Sequence, residues 1–243
     1  MKLPQVGASN ELLTGWPLSD QKAPVLTLSL EKPGTASPKL SLSLNKGARF
    51  TVKVEWQCDA DHADDVDVHA LEARRIGTEV KVTELTNVLS TYNTTRMNPK
   101  GGTLASNTDG SFETPGGGLR HSGDKRVQNN SETVIIDGSR LPAGVTEIPI
   151  FVTVHEADHG SGHESGSEDE GEEEAAFGDI DVCTITLSDQ DGRELGAYRL
   201  SDEFKEFNAV QLGSVALGPD GWEYVAAGRG FNGNFNDVLA RFS

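Results

Sequence analysis

The chain has 243 residues, of which 27 are glycine, and a formal net charge of −17. This length is enough for one large all-β domain or for two smaller domains. Eleven of the 38 acidic residues lie between Glu156 and Asp181, a segment without lysine or arginine, so the rest of the chain has 27 acidic and 21 basic residues. The charge disfavours binding to nucleic acid and to an anionic membrane, because both require a basic surface.

Cysteine content and hydropathy favour a cytoplasmic location. Cys58 and Cys183 are the only cysteines, so the sequence indicates no disulfide framework, although a single disulfide between them stays open. Residues 1–24 form a polar, flexible leader without the apolar core of a signal peptide. No apolar run approaches the ~18 residues that span a membrane. We therefore expect a cytoplasmic protein without direct membrane insertion.

Alternating apolar residues bounded by turn residues predict a series of short β-strands. The predicted strands are residues 25–31, 39–45, 49–57, 64–71, one or two strands within 75–92, then 133–137, 147–155, 179–187, 193–200, 209–217 and 222–228. Residues 218–221, GPDG, make the last two strands a hairpin. Residues 93–118 form a long loop, which is usually functional or contains short strands.

Helical spacing of apolar residues occurs only near the end of the chain, where it predicts a short helix within residues 234–242. Many short strands separated by turns predict an all-β fold, a two-sheet β-sandwich. No linker divides the sequence, so residues 25–243 are predicted to form a single domain.

Residues 64–71, DDVDVHAL, combine a strand pattern with closely spaced carboxylates. Asp65 and Asp67 leave the same face of the strand, roughly 6.6 Å apart. Carboxylates at this separation repel one another unless a positive group lies between them, and calcium, with oxygen ligands at about 2.3–2.6 Å, suits the gap. The alternative is a solvated polar face on an edge strand, where charges deter pairing with other chains.

Residues 155–159, HEADH, fit the H-E-x-x-H pattern of zinc hydrolases. That chemistry requires a helix, so that both histidines bind zinc while Glu156 activates water. Here a β pattern precedes the motif and glycines follow it, so a zinc hydrolase is only a remote alternative. Adventitious metal binding by His155, His159 and His163 is favoured over catalysis.

Residues 156–176 are predicted to be an acidic, disordered loop insert. Their central tract, ESGSEDEGEEE at residues 164–174, has the density of like charge that resists folding. Functional alternatives are a low-affinity calcium store or an electrostatic docking arm for a basic partner. The sequence has neither a G-x-S-x-G elbow nor a Walker-type phosphate loop, so nothing in it indicates an enzyme.

Seven short motifs follow one another between residues 40 and 243. They are LSLNKG at residues 42–47, DVD at 65–67, HSGD at 121–124, IIDGSRLP at 135–142, VTVHEA at 152–157, FGDI at 177–180 and GWEYVAAG at 221–228. In content and order this series resembles the TerD family of tellurium-resistance and general stress proteins. No single motif is specific, but the ordered set is.

The resemblance implies a two-sheet β fold that binds calcium between the D-x-D strand and the H-x-G-D loop. It implies metal ligands at Asp65, Asp67, Asp124, Asn129 or Asn130, and Glu132. The loop departs from the family pattern, because Lys125 stands where an asparagine ligand is expected. Lys125 or Arg126 therefore offers a second interpretation, in which a fixed cation replaces the metal.

Two functions from different classes follow from this resemblance. The first is a non-enzymatic, calcium-binding stress-response module that acts through docking to other proteins. The second is a structural or assembly protein on the same fold, with a degenerate metal site and the capacity to self-associate. Fold alone does not decide between them.

Overall fold

The computed structural model describes residues 41–44, 49–58, 64–124, 130–156 and 175–243. Within these ranges the chain forms fourteen β-strands and two short α-helices. The strands are β1 Ser41–Leu44, β2 Arg49–Gln57, β3 Asp64–Leu71, β4 Arg74–Ile76, β5 Glu79–Lys81, β6 Val88–Leu89, β7 Phe112–Glu113, β8 Leu119–His121, β9 Asn130–Asp137, β10 Glu147–Glu156, β11 Val182–Asp189, β12 Glu194–Arg199, β13 Ala209–Gly218 and β14 Gly221–Phe231. The helices are α1 Leu200–Glu203 and α2 Phe235–Ala240.

Twelve of these strands form two antiparallel sheets of six strands each. Sheet I has the order β1-β14-β13-β10-β3-β6, and sheet II has the order β12-β11-β2-β9-β8-β7. The remaining pair, β4 and β5, forms a separate hairpin. The prediction of an all-β, two-sheet sandwich is confirmed, because each sheet buries an apolar face against the other.

The alternation of residue types along the central strands produces the core between the sheets. In β2 the apolar side chains of Phe50, Val52, Val54 and Trp56 are buried, and the intervening residues are exposed or half-buried. Val66, Val68 and Ala70 of β3 belong to the same buried cluster. This is the pattern expected of strands with one face turned toward a core.

A second apolar cluster lies where α2 packs on sheet I. Its buried members are Leu71, Val88, Phe151, Val238 and Phe242. The helix begins after Asn234, whose side chain accepts hydrogen bonds from the two backbone N–H groups at positions 236 and 237. The predicted C-terminal helix is therefore confirmed, and its apolar stripe is what holds it against the sheet.

Several predicted boundaries shift in the structure. The segment predicted as a strand from residue 179 begins with a 3-10 helix, Phe177–Asp179, and β11 starts at Val182. The strand predicted to reach residue 200 ends at Arg199, because Leu200 opens α1. Short strands such as β8 have no sequence pattern of their own and exist because a neighbouring strand pairs with them.

Some expectations concern residues that the structure does not describe. These are the leader at residues 1–24, the strand at 25–31, the acidic tract at 164–174, and the side chains of Lys125, Arg126, Asn129, His159 and His163. Among the residues that are described, no helix has the length and apolar content required to cross a membrane.

Candidate metal centre

The candidate site begins at a free stretch of strand edge in sheet I. β3 pairs with β10 along most of its length, from Asp64 opposite Glu156 to Ala70 opposite Ile150. On its other side β3 pairs with β6 only through Ala70 and Leu71. The first part of this edge therefore faces sheet II instead of another strand. There the Val68 N–H donates to a side-chain oxygen of Glu132, at 3.2 Å.

Four carboxylates converge at this edge, and they come from both sheets. One carboxylate oxygen from each of Asp67, Asp124 and Glu132 lies within 4.8 Å of the others. Asp67 also belongs to a second group, in which its oxygen, an oxygen of Asp65 and a ring nitrogen of His155 lie within 4.8 Å of one another. Asp65, Asp67 and Glu132 are at most 4% exposed. The alternative of a solvated polar face on β3 is therefore wrong.

Asp124 reaches the cluster because the loop after β8 is tightly folded. Gly123 has a φ of +100°, and a Cβ at this position would lie 2.7 Å from the carbonyl oxygen of Gly110. Only glycine fits this combination of conformation and contact. The Gly123 N–H donates to His121 Nδ1 at 3.0 Å, and Ser122 N–H donates to the Thr133 carbonyl at 2.9 Å.

His121 is a buried neutral histidine that lies beside Glu132. Burial lowers its pKa to about 4, although the neighbouring Asp67 and Asp124 oppose this effect. Because Nδ1 accepts from Gly123, the proton is assigned to Nε2, which lies 3.1 Å from Glu132 Oε2. Phe112 stacks on the imidazole with a centroid distance of 4.6 Å, which fixes the plane of the ring.

Tyr92 and His155 contact the other side of the cluster through a single oxygen of Asp67. The Tyr92 hydroxyl donates to Asp67 Oδ2 at 3.2 Å and lies 2.6 Å from His155 Nε2. His155 Nε2 is 2.9 Å from the same Asp67 oxygen and 4.0 Å from Asp65 Oδ2. These contacts occupy Oδ2 of Asp67.

The two most buried carboxyl groups of the cluster, those of Glu132 and Asp67, have pKa values shifted in opposite directions. Burial raises the pKa of Glu132 well above its usual range, and the charge of Asp67 raises it further. Burial acts in the same direction on Asp67, but the hydrogen bond from His155 holds the pKa of Asp67 below its ordinary value. Glu132 therefore holds its proton more tightly than Asp67 does.

Two buried oxygens of the cluster are suited to contact with a positively charged ligand. Within the described residues, Asp67 Oδ1 and Glu132 Oε1 have no hydrogen-bond partner. Buried polar atoms are normally satisfied, because leaving one unpaired costs about 1–3 kcal/mol. A donor set of carboxylate oxygens favours hard cations. The residues present therefore fit a divalent cation.

The structure brings together four of the predicted ligands, Asp65, Asp67, Asp124 and Glu132. The fifth, Asn129, and the competing Lys125 lie outside the described residues. Asn130, the alternative to Asn129, uses its Oδ1 to accept a hydrogen bond from the Ser131 N–H. It lies at the start of β9.

The H-E-x-x-H stretch does not begin on a helix. His155 and Glu156 are the last residues of β10, in agreement with the β pattern that precedes the motif. His155 contacts the carboxylate cluster instead, a role that the sequence did not indicate. Tyr92 was missed as well: it is the last residue of a segment predicted to contain strands, and the structure places it in a 3-10 helix, Thr91–Asn93. The role of His155 follows from the antiparallel pairing of β10 with β3, which places His155 opposite Asp65. Knowledge of that pairing would have been needed to find it.

The fold and the site together define a β-sandwich module with a buried carboxylate cluster between its two sheets. The TerD domain matches residues 27–242, and the chain belongs to this family. Two solved structures have the same fold, each with a TM-score of 0.55 and covering 80% of this chain. One is a protein of unknown function, 12% identical, of which 96% is covered. The other is a homologue of the telluride resistance protein TerD from Streptomyces coelicolor A3(2), 16% identical, of which 95% is covered.

Three bacterial proteins are similar to about half of this chain. The uncharacterized protein YceE of Bacillus subtilis is 29% identical over 126 residues, which are 50% of this chain and 59% of YceE. Chemical-damaging agent resistance protein B of Clostridium acetobutylicum is 26% identical over 130 residues, 52% of this chain and 84% of that protein. General stress protein 16U of Bacillus subtilis is 27% identical over 135 residues, 54% of this chain and 63% of that protein. The match thus spans less than two thirds of YceE and of protein 16U.

Proposed function

We propose that this chain is a calcium-binding stress-response module that acts without catalysis, in the cytoplasm, by docking to another protein. Membership of the TerD domain family and similarity to a general stress protein and a chemical-damage resistance protein support the class of function. The cluster of Asp67, Asp124 and Glu132, with two buried oxygens that have no hydrogen-bond partner in the described residues, supports the cation.

Asp65, Asp67, Asp124 and Glu132 would hold the ion, which supplies the positive charge that their mutual repulsion requires. Asp65 and Asp67 lie on β3 of sheet I, whereas Glu132 lies on β9 of sheet II. Tyr92 and His155 contact Oδ2 of Asp67, and His121 Nε2 lies 3.1 Å from Oε2 of Glu132. An ion here would connect the sheets and fix the loop that carries Asp124, and this order is what a partner protein would recognise.

Calcium is favoured over magnesium and zinc by the kind and origin of the ligands. Calcium accepts six to eight oxygens in flexible geometry, whereas magnesium requires a near-ideal octahedron and keeps several waters. The oxygens here come from two strands and a loop, an arrangement suited to the less demanding ion. Zinc sites are usually built from cysteine and histidine, and this cluster offers one imidazole among carboxylates.

A thermal melt of metal-stripped protein tests the proposal. Calcium at about 100 times its dissociation constant should add roughly 2.7 kcal/mol, which corresponds to a rise in Tm of roughly 5–11 °C for a domain of this size. Magnesium at the same concentration is the comparison ion. The rise should disappear in Asp67→Asn and persist in Asp220→Asn, since Asp220 is an exposed residue of the β13–β14 turn.

An absent shift with calcium, or a shift that survives Asp67→Asn, contradicts the proposed site. Docking is tested separately by affinity capture in calcium and in chelator. Proteins retained only with calcium, and lost with Asp67→Asn, support calcium-dependent docking. A calcium-independent set of partners would favour an assembly protein instead.

A further inference from the structure

A cavity of about 690 Å³ lies beside the carboxylate cluster. Its wall comes from the segment between residues 85 and 101, the end of β10, and α2 with the residues just before it. Tyr92 and His155 line this cavity and also contact Asp67, so the cavity and the cluster share a wall. A volume of this size is typical of sites for small molecules.

We propose that this cavity, bounded by Tyr92, His155 and Phe235, binds an uncharged small molecule with an aromatic ring and a carboxamide-like edge. The proposal goes beyond the calcium site and does not require it. None of the four carboxylates proposed to hold the cation is among the described residues that line the cavity, and His155 connects the two sites through its contact with Asp67.

The residue types of the wall favour an uncharged ligand. Among the described residues that line the cavity, there is no lysine, arginine, aspartate or glutamate. Apart from the His155 imidazole, which already contacts Asp67 Oδ2 at 2.9 Å, an anionic ligand would find no cation among these residues, and it would lie close to the carboxylates of Asp65 and Asp67 behind His155. A cationic ligand would likewise find no carboxylate among the described residues of the wall. Burying either charge without a partner is costly.

The aromatic side chains of the wall favour a flat ring. Tyr92 and Phe235 are stacked with their centroids 5.7 Å apart and their planes inclined by 28°. His69 lies behind Phe235 at 4.9 Å, and His155 meets the edge of Tyr92 at 5.6 Å. A wall of ordered rings offers faces on which another aromatic ring can stack at little conformational cost.

Neutral amides at the margin favour a ligand edge with both a donor and an acceptor. Asn98 and Asn236 line the cavity and are exposed to solvent. Each carboxamide combines N–H donors with a carbonyl acceptor. Asn98 Oδ1 already accepts from the Gly101 N–H at 2.9 Å, so Asn98 offers a ligand chiefly its Nδ2 donor, whereas Asn236 can pair with a ligand carboxamide or lactam in both directions. Apolar contact is added by Leu85 and Leu239, which also line the cavity.

Three probes that share one ring and differ in charge test the proposal. Benzamide is neutral, benzoate anionic and benzamidine cationic. Binding to the full, metal-stripped chain is measured by NMR titration, so the outcome does not depend on the calcium site. A small fragment should bind with a dissociation constant in the range of roughly 1–10 mM. Benzamide should shift the resonances of Tyr92, Thr153 and Phe235, and the two charged probes should bind at least about fivefold more weakly.

A pair of variants locates the binding site. Leu85 lines the cavity and is 51% exposed, whereas Leu217 on β13 is 45% exposed and lies outside it. Leu85→Asp should weaken benzamide binding by about tenfold, because it removes apolar contact and adds a charge to the wall. Leu217→Asp should leave binding unchanged. Equal binding of the charged probes, or equal effects of the two variants, would overturn the proposal.

Discussion

Glu72 is a buried carboxyl group that the candidate metal centre does not use. Its side chain is 1% exposed, and the Thr114 hydroxyl donates to its Oε1 at 2.6 Å. Within the described residues, Oε2 has no hydrogen-bond partner. Burial raises the pKa of Glu72 to about 7, although the Thr114 hydrogen bond acts in the opposite direction. In the folded protein this carboxyl group therefore remains protonated at pH values where an exposed glutamate would be ionised.

The raised pKa predicts that Glu72 makes the protein less stable as the pH increases. Between about 4.5 and 7 the folded state binds more protons at this site than the unfolded state, so its contribution falls across this window and is constant above it. Glu72→Gln keeps an acceptor for Thr114 and never ionises. We expect the variant to be more stable than the parent by on the order of 2 kcal/mol at pH 8, allowing for solvent screening.

Urea unfolding of both proteins from pH 4 to pH 8 measures this effect. The difference in free energy of unfolding should shrink toward zero near pH 4. Taking the difference cancels the opposing contributions of His69 and His121, whose pKa values burial lowers to about 4. A difference that does not vary with pH would show that Glu72 is not the titrating group.

At the scale of single residues, the sequence indicated the ligands better than their environment. Alternation placed Asp65 and Asp67 on one face of a strand, but polar alternation normally means exposure to solvent. These residues are buried because Glu132 approaches from the other sheet, at a sequence separation that no local pattern encodes. For the same reason, the sequence did not indicate the contacts that His121, Tyr92 and His155 make with these carboxylates.

Elements with a strong apolar period were predicted well, and elements that depend on a partner were not. β2 and β3 have the predicted bounds, and α2 lies within its predicted range, because each carries a regular apolar stripe. β7 and β8 are too short to show a period, and they are strands only because β9 supplies the hydrogen bonds for β8. The long loop at residues 93–118 contains β7, as one of its interpretations anticipated.

One buried amide organises the segment that carries Tyr92. Asn93 is 6% exposed, and its Nδ2 donates to the carbonyl groups of Leu85 and Val88 at 2.7 and 2.8 Å. Its Oδ1 accepts from the N–H and the hydroxyl of Thr103, at 3.3 and 3.1 Å. A single side chain thus connects the two ends of this loop through four hydrogen bonds.

Asn93→Ala should therefore be strongly destabilising. It removes all four hydrogen bonds and leaves buried carbonyl groups unsatisfied, at an expected cost of about 2–4 kcal/mol. Asn236→Ala, an exposed site, should stay within about 0.5 kcal/mol of the parent. Urea unfolding provides both values. Similar costs for the two variants would mean that the loop is held by its other contacts.

At the scale of the whole molecule, the carboxylate cluster is a point of repulsion between the two sheets. Sheet I contributes Asp65 and Asp67, sheet II contributes Glu132, and the loop after β8 contributes Asp124. The apolar core holds the sheets together elsewhere, but at this edge a hydrogen bond from Val68 to Glu132 joins β3 to β9. A cation at the cluster should therefore stabilise this edge more than the rest of the sandwich.

Hydrogen exchange with and without calcium tests where the stabilisation is located. The amides of Val68 and Gly123 donate to the side chains of Glu132 and His121, so their exchange reports on opening of this edge. Calcium should slow them by about tenfold or more, equivalent to about 1.4 kcal/mol. Amides of the β13–β14 hairpin, which lies away from the cluster in sheet I, should change less.

Asp67→Asn is the control, because without this ligand calcium should have no effect on any amide. An ion that acted only by reducing the overall negative charge would slow exchange evenly in both sheets, and salt would reproduce the effect. An ion that bridges the sheets protects Val68 and Gly123 first and is insensitive to moderate salt. The distribution of protection along the chain therefore separates a specific bridge between sheets from general neutralisation of an acidic protein.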